Sequence, residues 1–206
     1  MLNTVYQLVR PRQFEVVFKD ITMDDKHVIV HPTHLSICNA DQRYYQGLRA
    51  EAVLKKKLPM ALIHEGIGRV IYDPTGHFEQ GTLVVMIPNT PVEQDEIIAE
   101  NYLRSSKFRA SGFDGFMQEY VSMEPDRLVV LPEDINLSVA AFTEIVSVSY
   151  HAIQRFLRFS HERRNVIGVW GDGNLGYITS LLLKKLLPDT KVCVFGVNEY
   201  KLNDFS

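Results

Sequence analysis

The stretch that decides the fold is Val166-Ile-Gly-Val-Trp-Gly-Asp-Gly-Asn-Leu-Gly176, in which a short apolar run leads directly into a glycine-rich turn. Its glycines have the spacing of a dinucleotide-binding turn. In such a turn Gly171 permits the tight reversal, Gly173 lets a pyrophosphate approach the backbone, and Gly176 permits close packing of a helix on a strand. A glycine turn that binds nothing is the alternative, because the motif by itself is weakly specific.

The segments on both sides of this turn complete a β-α-β unit, which favours the dinucleotide interpretation. Val166 to Trp170 has the composition of a strand, and Tyr177 to Leu187 has helical periodicity. Val192 to Val197 has the composition of a second strand. We predict that the cofactor is bound by the turn and by one lysine beyond it: Gly171, Asp172, Gly173, Asn174, Leu175, Gly176 and Lys201.

The choice of cofactor depends on the end of the second strand, where NAD-binding domains carry an acid that binds the ribose 2′-hydroxyl. That position holds Gly196, followed by Asn198, Tyr200 and Lys201. This segment has room and one positive charge for a 2′-phosphate. The sequence therefore predicts NADPH as the cofactor.

Upstream of this unit, the sequence is β-rich as far as about Leu131. Short runs of β-branched and aromatic residues alternate with turn signals, which predicts a small barrel or sandwich. From Ser138 to Leu157 we expect a long, largely apolar helix that connects two domains. The predicted organisation is a β-rich domain over 1–137, a connecting helix over 138–160 and the start of a nucleotide-binding domain over 161–206.

The nucleotide-binding domain has fewer strands than its class requires. A doubly wound domain of this kind has about five or six parallel strands, whereas the pattern here predicts two. The second strand would leave a sheet edge without a cover. We expect the chain to be C-terminally truncated, as the N-terminal part of a longer polypeptide.

Composition narrows the class of protein. The 206 residues are 46% hydrophobic and 23% charged, as in a globular protein. A net charge of −3 offers no general attraction for nucleic acid or an anionic membrane, so neither is expected as a partner. Two cysteines are too few for a disulfide framework. Because signal-peptide and membrane-spanning patterns are also missing, we expect a cytoplasmic protein.

Candidate metal ligands occur in three separate segments, which contain Cys38, the pair His64-Glu65, and Glu144. Thiolate, imidazole and carboxylate together suit Zn²⁺. Taken singly, each has a simpler explanation as a buried cysteine, a hydrogen-bonded core histidine or a paired carboxylate. Glu144 fits that explanation least, because it interrupts the apolar run 140–146 and an unpaired buried carboxylate is costly.

With these residues the chain is identified as a member of the medium-chain dehydrogenase/reductase superfamily. Cys38-Asn-Ala-Asp41 resembles the family segment Cys-Gly-Ser-Asp, and His64-Glu-Gly-Ile-Gly68 resembles its Gly-His-Glu-Gly-x-Gly signature. Thr143-Glu144 resembles the glutamate segment of the polyol-dehydrogenase branch. The resemblance covers essentially the whole chain. It implies a β-rich, GroES-like barrel domain followed by the first β-α-β unit of a Rossmann domain.

The resemblance also implies a catalytic zinc site. Its ligands would be Cys38, His64 and one glutamate, either Glu65 or Glu144, with the other glutamate close by. Asp41 would orient His64 from outside the ligand set. Bound zinc would act as a Lewis acid for a ketone that NADPH reduces.

Similarity in residues 35–47 and 101–109 implies a subgroup that reduces a keto sugar phosphate. Arg43 is the candidate for binding the phosphate, because a guanidinium can bind it through two hydrogen bonds. Arg104, Lys107 and Arg109 form a second candidate cluster. The resemblance further implies a homodimer or homotetramer. It also implies that a cytidylyltransferase uses the polyol phosphate product in teichoic acid synthesis.

The sequence departs from the wider family at three places. The hydroxyl residue two positions after the zinc cysteine is Ala40, and the histidine of the usual proton relay is Arg43. The proton must therefore come from water or another group. The loop from Asn89 to Gly115 lacks the cysteines of a structural zinc, so at most one zinc is expected. Ile63 stands where the signature has glycine, which should alter the local backbone without removing a ligand.

Other interpretations stay open. The chain could belong to another zinc polyol or alcohol dehydrogenase, or to a zinc-free reductase in which the ligands are vestigial. It could also be a non-catalytic fragment that retains zinc or nucleotide residues without completing the cleft. Metal content and dinucleotide binding distinguish these cases.

Overall fold

The computed structural model describes residues 1–99 and 102–205, and contacts divide the chain into two compact units, Met1–Thr143 and Glu144–Ser206. Asn101, in the 101–109 segment, and Ser206, at the end of the predicted third segment, lie outside the described residues. In the described part of the chain, none of the helices has the length and apolar character that crossing a membrane requires.

The first unit is built mainly of β-strands. Its strands are β1 (Leu2–Arg10), β2 (Gln13–Asp20), β3 (Val28–Ser36), β4 (Met60–Ala61), β5 (Glu65–Tyr72), β6 (Leu83–Met86), β7 (Asn89–Thr90), β8 (Lys107–Phe108), β9 (Val121–Met123) and β10 (Leu128–Val130). Its helices are α1 (Asn39–Tyr45), α2 (Glu51–Lys57) and α3 (Leu137–Ala140), with a short 3-10 helix, Pro125–Arg127.

Two antiparallel sheets contain most of these strands. Among the described residues, their orders are β2-β1-β4 and β10-β6-β5-β3-β9. Strand β3 pairs with β5 from Ile29, opposite Tyr72, to Ser36, opposite Glu65. The largest apolar cluster takes side chains from both sheets, including Leu8, Met60, Val30, Val70 and Met86. These two sheets confirm the β-rich character predicted for the first part of the chain.

Strand β1 is not among the strands that the sequence predicts, because its residues are mixed in polarity. Two of its buried side chains, Asn3 and Gln7, are polar. The Asn3 amide donates to Gln118 Oε1 and to the Tyr120 carbonyl, both at 2.9 Å. The Gln7 amide donates to Asp114 Oδ1 at 2.8 Å. These hydrogen bonds let polar residues occupy the buried face without the cost of an unpaired group.

The second unit contains the predicted β-α-β unit. Its elements are α4 (Thr143–Phe159), which begins at the last residue of the first unit, β11 (Val166–Trp170), α5 (Asn174–Leu186), β12 (Lys191–Phe195) and α6 (Glu199–Leu202). Strands β11 and β12 are parallel and in register, with Val166 opposite Lys191 and Trp170 opposite Phe195. Ile153, Ile167 and Leu183 form the core of this unit.

The predicted long helix from Ser138 is divided into two helices. Asn136 caps the first, because its side chain accepts hydrogen bonds from two backbone N–H groups of α3. Helix α3 ends at Ala140, and α4 begins at Thr143, whose hydroxyl donates to the Ala140 carbonyl at 2.6 Å. Because Ile153 of α4 packs in the second unit, this helix contributes to that unit's core.

Candidate metal and dinucleotide sites

Three of the predicted metal ligands meet where β3 and β5 pair. Cys38 lies two residues beyond the end of β3, and Glu65 is the first residue of β5, opposite Ser36. The strand register therefore brings Cys38 beside His64 and Glu65. The thiol sulfur, one ring nitrogen and one carboxylate oxygen all lie within 4.8 Å of one another. His64 and Glu65 are buried, and Cys38 is partly buried.

Asp41 joins the two segments that carry these ligands. Its carboxylate accepts hydrogen bonds from the Cys38 N–H at 3.1 Å and from the Ile63 N–H at 3.0 Å. Its Oδ1 lies 3.8 Å from His64 Nδ1, which is within reach of an ion pair but too long for a hydrogen bond. Burial raises the pKa of Asp41, and the charge of His64 opposes that shift. Asp41 thus fixes the ligand segments through their backbone.

The electrostatics of the cluster favour a bound cation. Glu65 is 1% exposed, and its Oε1 has no hydrogen-bond partner among the described residues. Burial, together with the nearby charge of Glu65, raises the pKa of the Cys38 thiol to about 11. A buried carboxylate with an unpaired oxygen is costly unless a cation neutralises its charge. Sulfur, nitrogen and oxygen donors in one set fit Zn²⁺, with a fourth position for water or substrate.

Ile63, where the family signature has glycine, has a φ of 72°. This left-handed conformation is unfavourable for a β-branched residue and is easily adopted by glycine. Its N–H donates to Asp41, and its carbonyl accepts a hydrogen bond from the Phe116 N–H at 2.6 Å. The backbone at this position therefore has the conformation that glycine favours. Replacing glycine with isoleucine leaves this conformation in place, and the isoleucine adopts it at a cost in free energy.

Glu144, the fourth predicted metal ligand, lies in the first turn of α4 and in the second unit. Its role as a zinc ligand stays a prediction.

Two residues near the cluster, Ser36 and Phe108, were not predicted from the sequence. Ser36, opposite Glu65 in the register, is buried, and its hydroxyl oxygen has no hydrogen-bond partner in the described part of the chain. Opposite residues in a sheet share a face, so this hydroxyl lies on the same side of the sheet as the Glu65 carboxylate. The ring of Phe108 lies 5.2 Å from that of His64. The sequence did contain a signal for Ser36. It lies two residues before Cys38, and side chains two residues apart in an extended segment point to the same face.

Arg43 lies in the last turn of α1, the helix that Cys38 caps. Its guanidinium is exposed and donates to the Leu48 carbonyl at distances of 3.3 and 3.4 Å. These long contacts to one carbonyl leave donors for another acceptor, since a guanidinium has five N–H groups. Arg43 stays the candidate for phosphate binding.

Two residues of the second basic cluster, Lys107 and Arg109, line a cavity. Lys107 and Arg109 line a space of about 340 Å³ together with Asp114 and Glu124, and none of its described lining residues is a candidate metal ligand. The Arg109 guanidinium donates to the Ser122 carbonyl at 2.6 Å and to the Asp114 carbonyl at 3.4 Å. These contacts give Arg109 a structural role. Arg104 is exposed.

In the second unit, the glycine turn has the steric properties that its sequence predicts. Gly171 has a φ of 141°, a conformation that other residues rarely adopt. A Cβ at Gly176 would lie 2.0 Å from the Gly171 carbonyl oxygen, so the third glycine is required for the helix to approach the turn. A Cβ at Gly173 would meet nothing within 4 Å, which leaves open space where a pyrophosphate could approach.

The other predicted cofactor residues surround this turn. Asn174 and Leu175 begin α5, and Leu175 is 48% exposed. Lys201 lies exposed in α6 and interacts electrostatically with Asp172. Asp172 accepts hydrogen bonds from the backbone after β12. Their roles in cofactor binding stay predictions.

Comparison with known sequences gives a consistent family. The alcohol dehydrogenase GroES-like domain family matches residues 24–133. The chain is 62% identical over 206 residues to the ribulose-5-phosphate reductase of Bacillus spizizenii, and 62% identical to ribulose-5-phosphate reductase 2 of Staphylococcus aureus. Each alignment covers 100% of this chain and 60% of the relative, so the chain spans about 60% of the length of these relatives.

Solved structures agree with this result. The structure of S. aureus TarJ in complex with NADPH has a TM-score of 0.82 at 51% identity, covering 100% of this chain and 57% of that one. L-idonate 5-dehydrogenase of Escherichia coli has a TM-score of 0.86 at 22% identity, covering 98% of this chain and 60% of that one. At that identity, the second comparison concerns the fold alone.

Proposed function

Because this chain belongs to the family of the alcohol dehydrogenase GroES-like domain, as a zinc-type medium-chain dehydrogenase/reductase, we propose that the intact protein reduces D-ribulose 5-phosphate to ribitol 5-phosphate with NADPH. The observation that carries the proposal is the cluster of Cys38, His64 and Glu65, in which Glu65 Oε1 is buried and has no hydrogen-bond partner among the described residues. The 62% identity to relatives named ribulose-5-phosphate reductases supports the choice of substrate.

When bound, Zn²⁺ supplies Lewis acidity toward a ketone oxygen, and NADPH supplies a hydride. Cys38 and Glu65 would contribute the negative charge that holds the cation, and His64 would contribute a neutral donor. Asp41 keeps the Cys38 segment and the Ile63–His64 segment at a fixed separation through its two backbone hydrogen bonds. Arg43 binds the phosphate, and Glu144 is a further ligand in this proposal.

The group that supplies the proton to the product differs from that of the wider family. Ala40 has no hydroxyl and Arg43 no readily transferred proton, so the proton on the product must come from water or another group.

A cytoplasmic location, a homodimer or homotetramer, and a cytidylyltransferase that uses the product belong to the same proposal. The glycine turn of the second unit supplies the NADPH site.

The test is NADPH oxidation by the zinc-loaded intact protein, with ribulose 5-phosphate and with unphosphorylated ribulose. We expect oxidation with the phosphorylated ketose and little with the other. Arg43→Ala should raise the KM for ribulose 5-phosphate about tenfold or more, because a charge-assisted contact is lost. Lys56→Ala, at another exposed cation, is the control. Equal rates with both ketoses would refute the phosphate site.

A further inference from the structure

The end of β12 is fixed by a carboxylate that comes from the glycine turn. Asp172 Oδ2 accepts hydrogen bonds from the Val197 N–H at 2.9 Å and from the Asn198 N–H at 2.8 Å. These bonds hold the pKa of Asp172 below its usual value, and the bond from the Asn198 N–H has the largest effect. One oxygen therefore holds two successive backbone groups of the segment that follows the second strand.

The same carboxylate explains why position 196 is glycine. A Cβ at Gly196 would lie 2.5 Å from Asp172 Cβ and 2.6 Å from its Oδ2. Gly196 does not have a positive φ, so its backbone conformation would accept any residue. The need for glycine thus comes from the Asp172 side chain, which occupies the space beside the backbone.

This steric exclusion bears on the choice of cofactor. In NAD-binding domains, the acid at the end of the second strand accepts a hydrogen bond from the ribose 2′-hydroxyl. An acid at position 196 could not share the space with Asp172 as it is placed here. The segment after Gly196 then contains Asn198, whose side chain caps α6, and Lys201 within that helix.

We propose that Asp172 is a positioning residue for the adenosine end of the dinucleotide. It holds residues 196–198 in a single conformation, excludes an acid from position 196, and so leaves the ribose 2′ side open to the phosphate of NADPH. The inference rests on the proposed function, because it concerns the cofactor of that reaction. In this proposal Asp172 influences the preference for NADPH through its hydrogen bonds to the backbone of Val197 and Asn198.

Asp172→Ala and Asp172→Asn separate geometry from charge. Alanine removes both acceptor bonds, and we expect the Kd for NADPH to rise about tenfold and the preference for NADPH over NADH to decrease. Asparagine keeps an oxygen that can accept the same two N–H groups, so its Kd should stay within about threefold of wild type. Asp189→Asn, in the exposed turn before β12, is the control.

A double-mutant cycle tests the steric part and does not depend on one variant alone. Gly196→Ala should weaken NADPH binding as much as Asp172→Ala, because the new Cβ and the Asp172 side chain compete for one space. In an Asp172→Gly background, which also removes the Asp172 Cβ that would lie 2.5 Å from the new one, the same change at position 196 should add little to the effect of Asp172→Gly alone.

The outcomes are distinct. Wild-type NADPH affinity in Asp172→Ala, equal losses in the alanine and asparagine variants, or additive effects in the cycle would overturn the inference. If the wild-type protein binds NADPH but reduces no ketose, the proposed function fails while these binding measurements still test Asp172. If the wild-type protein binds neither NADPH nor NADH, both fail.

Discussion

At the scale of single residues, the metal site is defined by buried polar atoms. Glu65 Oε1 has no partner among the described residues, and the Cys38 thiol has a pKa raised to about 11. The buried carboxylate is unfavourable for the folded chain without a cation, whereas the thiol stays protonated and neutral. Binding Zn²⁺ would pair the carboxylate and release the thiol proton, so metal binding and stability are linked.

Replacing Glu65 with Gln removes one anionic ligand and keeps the size of the side chain. We expect the zinc affinity of the intact protein to fall about tenfold or more, because the amide oxygen carries no charge to offset the cation. Zinc content after dialysis against a chelator checks this. Glu133→Gln, at an exposed position, should keep wild-type zinc. Equal zinc retention in the two variants would remove Glu65 from the ligand set.

Asp114→Asn should lower the stability of the protein at neutral pH and not at low pH. Burial raises the pKa of Asp114, but bonds from Lys19, the Ala61 N–H and Gln7 outweigh it and hold the pKa below the usual value. Such a group stabilises the fold above its unfolded pKa, and that contribution is lost as the pH falls through the folded pKa. We expect a loss of about 1 kcal/mol at pH 7, allowing for partial exposure.

Urea unfolding followed by circular dichroism at several pH values measures this loss. The difference between wild type and Asp114→Asn should decrease below about pH 4. Asp25→Asn, at an exposed position, should show no such dependence. A difference that stays constant between pH 7 and pH 3 would contradict the assignment of the effect to Asp114 ionisation.

At the scale of elements, both candidate sites lie where a strand ends. The β3–β5 register sets Glu65 opposite Ser36, two residues before Cys38. In the second unit, the turn after β11 is joined to β12 by the Gly171 N–H, which donates to the Phe195 carbonyl at 2.8 Å. Strand pairing therefore determines the positions of the metal ligands and of the glycine turn.

Two glycine substitutions in one turn should have different effects. Gly176→Ala places a Cβ 2.0 Å from a backbone oxygen. It should destabilise the second unit by about 1–3 kcal/mol and also weaken NADPH binding, because the helix must shift. Gly173→Ala meets no protein atom within 4 Å, so it should keep stability and lose only NADPH affinity.

Thermal unfolding and NADPH titration of the intact protein measure the two effects separately. Full NADPH affinity in Gly173→Ala would show that the pyrophosphate does not approach that backbone. Unchanged stability in Gly176→Ala would show that the helix start can move without cost.

At the scale of the whole molecule, the two units carry different parts of the proposed reaction. The first unit holds Cys38, His64 and Glu65, and the second holds the glycine turn. Each has its own apolar core. Metal and dinucleotide binding should therefore respond to different perturbations.

Removal of zinc should abolish ketose reduction by the intact protein and leave NADPH binding unchanged. The reason is that Cys38, His64 and Glu65 belong to the first unit, whereas the glycine turn belongs to the second. Chelation followed by dialysis, with turnover and NADPH titration as measurements, tests this. Added Zn²⁺ should restore activity to wild type but not to Cys38→Ser. Full turnover in the metal-free protein would favour the zinc-free reductase instead.

Much of the fold could be predicted because local patterns decide it. Strand β11 has the predicted bounds, and Gly171 and Gly176 have the predicted steric roles in the turn. Strand β1 was missed, because its buried side chains Asn3 and Gln7 are polar and depend on partners more than 100 residues away. The predicted single helix is two helices, because composition alone did not reveal the break after Ala140.

The sequence by itself determined the donor types, the glycine spacing and the order of the elements, because these follow from side-chain chemistry and from neighbours along the chain. Only the tertiary structure decided which donors meet, that Asp41 joins their backbones, and that Asp172 excludes a side chain from position 196. The physical reason is that such contacts depend on strand register. Register is set by the pairing of segments far apart in sequence, and a shift of one residue would turn each side chain to the opposite face.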